Sequence, residues 1–202
     1  ETMLDLASDH GITLPRDDAE SLRRYMCADN VTDLGDYLHR FDTTISILQT
    51  APALERVAYE LVEDASRDGL RYIEIRNAPH LNIGAGLTVD EVIEATLRGL
   101  RRGERDFGTV ARFITCSLRH WDPARSLEAA QAAVRHMRAG VVGFDLAGAE
   151  AEFSAADHAA AFAYARRHFL RVTCHAGEAA GPVSIERALF DCNASRLGHG
   201  VR

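Results

Sequence analysis

Val172-Thr173-Cys174-His175-Ala176-Gly177-Glu178, followed by Arg196-Leu197-Gly198-His199-Gly200, is the stretch that decides the fold. Each half is a short apolar run ending in a polar, glycine-flanked cluster. A parallel barrel presents chemistry in this way: its strands are buried, and reactive side chains emerge where each strand meets the next loop. The first cluster offers a histidine and a carboxylic acid, and the second a histidine between two glycines. One imidazole ligand, one carboxyl proton donor and a second imidazole suit metal-assisted hydrolysis.

Working outward, the runs Arg71–Arg76, Ala111–Leu118, Val141–Leu146, Arg171–His175 and Arg196–His199 read as strands. Helical patterns lie between them at Val89–Arg102, Pro123–Arg138, Ala155–Arg167 and Val183–Phe190. Short apolar strands alternating with amphipathic helices indicate parallel βαβ units. The chain before residue 70 reads as helix. Thr2 is placed as the cap of a first helix through Leu6, and Asp17 as the cap of a second through Met26. Asp33 precedes an apolar face of Leu34, Tyr37, Leu38, Phe41 and Ile45, and Ala53–Arg67 forms a fourth helix ended by Asp68-Gly69.

The fold expected is therefore α/β: a partial (β/α)₈ TIM-type barrel with about five of eight strands and an N-terminal helical region. Residues 1–202 form a single incomplete barrel domain. A complete barrel takes about 250 residues, so roughly one strand is expected before residue 1 and two after residue 202. An open doubly wound sheet is the other architecture with this alternation. It would usually carry a Gly-x-Gly-x-x-Gly turn after an early strand, and none is present.

Composition narrows the function classes. The chain is 47% apolar and 26% charged, with a formal net charge of −7. A mildly acidic chain lacks the basic footprint of a nucleic-acid binder, and no apolar run approaches the roughly 20 residues that span a bilayer. The four cysteines, Cys27, Cys116, Cys174 and Cys192, form no C-x-x-C pair and read as reduced thiols of a cytoplasmic protein. The Pro-Cys-x-x-Cys signature of the cytidine-type zinc deaminases is absent.

The two opening clusters, with four further stretches, resemble the adenosine deaminase family of zinc purine-nucleoside deaminases. The further stretches are Tyr72–Arg76 with Ala78-Pro79-His80-Leu81, then Gly103–Gly108, Cys116–His120 and Phe144-Asp145-Leu146-Ala147-Gly148. They occur in the family's order and cover most of the chain. The family's His-x-His pair on its first strand and its Asp-Asp pair at the eighth are absent, which implies an internal part of a deaminase. It would carry one of four protein zinc ligands and be inactive by itself.

Each site residue has a plain reading beside the one the resemblance implies. His175 is either a satisfied strand-end histidine or a Zn²⁺ ligand. Glu178 is either a helix-start carboxylate or the acid that protonates purine N1, a role that burial would favour by keeping the carboxyl neutral. His199 is either incidental to a tight turn or the group that orients the attacking water. Gly148 is either a turn residue or the main-chain N–H that meets purine N3.

His10, His39, His80, His136, His158 and His168 receive no catalytic role, and His120 is only near the site. Glu74 and Arg76 read as a charged pair inside the barrel. The face of Leu34, Tyr37, Leu38 and Phe41 is either plain core or an apolar lid. The reaction implied is zinc-dependent conversion of adenosine, and 2′-deoxyadenosine, to inosine and ammonia. Adenine or aminofutalosine as substrate, or a catalytically dead paralogue acting as an interaction protein, are the other readings. The partner implied is a small-molecule purine nucleoside, with no nucleic acid and no membrane.

Overall fold

A computed structural model describes residues 1–27 and 34–202, with residues 34–39 described by their backbone alone. Five parallel strands form one sheet in sequence order: β1 (Tyr72–Asn77), β2 (Val110–Leu118), β3 (Val141–Ala147), β4 (Arg171–Ala176) and β5 (Arg196–His199). Helices α5 (Val89–Phe107), α6 (Pro123–Arg135), α7 (Ala159–Arg167) and α8 (Pro182–Phe190) connect them. The sheet curls as about half of a (β/α)₈ barrel, as the alternation predicts.

Alternation along the strands sorts side chains between two faces. Phe113, Phe144, Leu146, Val172 and Cys174 belong to a buried core with residues of α5, α6 and α7. On the other face Arg76, Cys116, Asp145 and His175 meet one another. The ladder between β3 and β4 is short, with Gly143 opposite Arg171 and Phe144 opposite Val172. Asp145 and His175 lie beyond those pairs and meet through their side chains.

The N-terminal helices are α1 (Thr2–His10), α2 (Ala19–Met26), α3 (Leu34–Ile47) and α4 (Ala51–Arg67). Helices α4 and α5 pack closely because Gly99 and Gly103 have no side chain at the crossing: a Cβ on Gly99 would stand 2.2 Å from the Glu55 carbonyl oxygen.

Several boundaries differ from the sequence reading. Thr2 caps nothing; its hydroxyl donates to Glu60 at 2.6 Å, and α1 runs on to His10, closed by Gly11 in the left-handed region. The cap of α2 is Asp18, not Asp17, since the Asp18 carboxylate accepts the Ser21 N–H at 2.9 Å. Thr50 caps α4, and a Thr88–Glu91 capping box opens α5. The stretch read as one helix at Ala155–Arg167 is a 3₁₀ turn, Ala155–His158, followed by α7. The cap proposed at Asp33 lies outside the described residues, as do the side chains of Leu34, Tyr37 and Leu38.

Glu74 and Arg76 do not pair with each other. Both point to the same face of β1, but each has a longer-range partner. Glu74 accepts from Arg196 on β5 at 2.7 Å, and Arg76 meets Asp145 on β3 at 2.9 Å. These pairs tie β1 across the curl of the sheet to strands it does not neighbour.

Candidate active site

Asp145 organises the site. It is fully buried in the middle of an apolar strand, a position that is expensive for a carboxylate without partners. Its oxygens meet Arg76 Nε at 2.9 Å and His175 Nδ1 at 3.1 Å, and one accepts the Leu146 N–H at 2.8 Å. With Nδ1–H donated to Asp145, the neutral His175 ring keeps its lone pair on Nε2. That nitrogen lies 3.3 Å from Arg76 Nη1, which donates to it.

The His175 main chain is held as firmly. The guanidinium of Arg119 donates to the His175 and Phe153 carbonyl oxygens. Arg119 is itself held from behind by a buried chain in which the Ser117, Ser126 and His158 side chains bond in turn, His158 Nε2 reaching the Arg119 carbonyl at 3.0 Å. Burial lowers the pKa of His158, which favours the neutral ring.

His199 ends β5 with φ of 69°, in the left-handed region. That turn brings its ring to 5.2 Å from the His175 ring, centroid to centroid, and its Nε2 to 3.5 Å from Glu178 Oε1. Glu178 is about a quarter exposed and His199 somewhat more, so both reach an open cavity. Gly198 permits the approach, since a Cβ there would stand 3.3 Å from His175 Cγ.

His175, Glu178, His199 and Gly148 all line one cavity of about 1090 Å³ at the C-terminal ends of the strands. The sequence reading named these four residues, and the structure brings them together. His120 lines the same cavity, stacked edge-on between Trp121 and Phe153. Phe41, part of the face read as core or lid, also lines it and is 42% exposed.

Asp145, Arg76 and Glu150 were given no role in this site by the sequence. Asp145 had a usable signal, a charged residue inside an apolar strand. Glu150 had none, because its role depends on backbone N–H groups far along the chain.

The donor set can be tested for a zinc ion. A histidine whose Nδ1–H is bound by a carboxylate, leaving Nε2 toward a cavity, is the arrangement that orients zinc-ligating imidazoles. His175 fits it. Among the described residues no group of three His, Cys, Asp or Glu converges as a metal cage. Burial, then the neighbouring Asp145 carboxylate, push the Cys116 thiol well up, so it is no ready thiolate ligand. None of the four cysteines is in a disulfide. Among the described residues no helix is long and apolar enough to cross a membrane.

The adenosine deaminase family model matches residues 1–202. An adenosine deaminase of Mycobacterium sp. (strain KMS) is 44% identical over 208 residues, covering 100% of this chain and 57% of the relative. One from Mycobacteroides abscessus is 45% identical with the same coverage. The chain thus spans a little over half the length of the curated relatives it matches. Among solved structures, an adenine deaminase from Arthrobacter aurescens superposes with a TM-score of 0.88 at 27% identity, over 100% of this chain and 60% of that one. A Burkholderia ambifaria amidohydrolase with bound Zn also gives 0.88, at 25% identity, over 98% and 54%.

Proposed function

Because the chain belongs to the adenosine deaminase family, we propose that it contributes part of a hydrolytic enzyme that deaminates adenosine and 2′-deoxyadenosine to inosine and deoxyinosine, releasing ammonia. The observation that carries this is the convergence of His175, Glu178, His199 and Gly148 on one cavity. The nucleoside is preferred over the free base because the relatives at 44–45% identity are named adenosine deaminases. The adenine deaminase is a more distant match.

In this reading His175 would hold zinc through Nε2, together with ligands from outside these residues. A bound zinc ion would make a water nucleophilic near neutral pH. His199 orients the attacking water and steadies the charge that develops as it adds to C6. Glu178 delivers a proton to N1, which makes C6 electrophilic. Their 3.5 Å separation supports this division of labour, since side chains in contact at one wall of the cavity can address adjacent atoms of the same base. The Gly148 N–H fixes the far side of the purine at N3. Asp145 keeps His175 in the tautomer that leaves the Nε2 lone pair available. The buried reduced thiols support a cytoplasmic setting.

The test is to follow ammonia release from adenosine by the complete zinc-loaded enzyme that contains these residues. Conversion to inosine, lost on chelation and restored by zinc, is expected. Turnover of adenine but not adenosine would replace the substrate, and absence of any purine deamination would overturn the reading.

A further inference from the structure

Glu150 lies just beyond β3 and is almost wholly buried. One oxygen of its carboxylate accepts the main-chain N–H groups of Glu178, Ala179 and Ala180 at 2.9, 2.7 and 3.0 Å. The other accepts the Gly177 N–H at 2.6 Å and the Ser184 hydroxyl. Five donors thus converge on one side chain, and four are consecutive backbone amides of the turn between β4 and α8. Such a nest of N–H groups demands an anion. Burial by itself would raise the Glu150 pKa, but these hydrogen bonds outweigh it and hold the carboxyl at about 2.

The turn it holds carries the proton donor of the reaction proposed above. The Glu178 N–H is itself bonded to Glu150, so the carboxylate fixes the stem from which the Glu178 side chain projects. The same stretch also anchors the chain just after the second histidine: the Ala176 carbonyl accepts the Gly200 N–H at 2.9 Å, and the Gly177 carbonyl accepts the Val201 N–H at 3.0 Å. None of these hydrogen bonds reaches the His175, His199 or Glu178 side chain, so the influence of Glu150 on the chemistry passes through the backbone it holds.

We propose that Glu150 is a positioning residue: its carboxylate sets the main chain of Gly177–Ala180 so that the Glu178 carboxyl meets the reacting base beside His199. Glutamine keeps the shape but replaces one acceptor with an N–H₂ that opposes the turn's donors. This inference rests on the role of Glu178 proposed above, and the experiment separates the two.

In the complete enzyme, adenosine turnover and zinc content are measured for Glu150→Gln, Glu178→Gln and the double variant. Glu150→Gln is expected to lower kcat about 10–100-fold with KM within about threefold and zinc unchanged, and to cost less than about threefold once Glu178 is already glutamine. An equal cost in both backgrounds, or a loss below about twofold in the single variant, overturns the positioning role. A loss below about tenfold for Glu178→Gln alone instead refutes the proton-donor reading. If Glu150→Gln does not fold, Ser184→Ala, which removes one of the five donors, decides in the same cycle: a loss of about two- to fivefold that vanishes beside Glu178→Gln supports the role, and one that persists overturns it.

Discussion

The Asp145 carboxylate stands 3.1 Å from Nδ1 of His175, at the point where the β3–β4 ladder has ended. This contact fixes both the orientation and the tautomer of the ring. Asp145→Asn keeps the shape but loses the charge that faces Arg76. The complete enzyme carrying it is expected to bind zinc about 10–100-fold more weakly. Competition with a chelator reads this directly, and unchanged affinity would reduce Asp145 to a structural partner of Arg76.

Glu178→Gln should leave zinc content and nucleoside binding intact while kcat falls by about 10²–10⁴-fold, the usual contribution of a general acid. Calorimetric binding of a non-reactive purine nucleoside, set beside turnover, separates the two effects. Equal losses in binding and kcat would make Glu178 a substrate contact instead.

Gly177 has φ of 72°, and a Cβ on it would stand 2.7 Å from Ile185 Cδ1 and 3.0 Å from Gly200 Cα. Gly177→Ala therefore combines left-handed strain with a clash on both sides of the turn, a loss of about 2–4 kcal/mol. Denaturant unfolding of the complete enzyme measures it. A loss under about 0.5 kcal/mol would mean that the turn relaxes freely.

The strands were legible because each is an apolar run bounded by a helix of clear periodicity, and His175, Glu178 and His199 because strand ends are where such a fold exposes chemistry. The wiring was less legible. Reading Glu74 and Arg76 as partners followed from their spacing on one strand, but curling of the sheet brings Arg196 and Asp145 nearer than they are to each other. Asp18 displaced Asp17 as a cap because only its carboxylate reaches the Ser21 N–H, a distinction of one residue that composition does not carry. Glu150 reads as an ordinary loop carboxylate until the turn 27 residues later is folded around it.

The Glu150 carboxyl titrates at about 2 in the folded protein against an ordinary 4.5. Its stabilising contribution is thus complete above pH 4.5 and lost as the pH falls from there toward 2. Acid unfolding of the complete enzyme should begin at lower stability and vary less with pH in this window for Glu150→Gln than for the parent. Parallel curves would show that Glu150 titrates alike in the folded and unfolded chains.

The central claim is that His175 is a zinc ligand through Nε2. Metal analysis of the purified complete enzyme carrying His175→Ala tests it most directly. Zinc and adenosine deamination should be lost together while the protein remains folded by circular dichroism. Full zinc occupancy in that variant would contradict it.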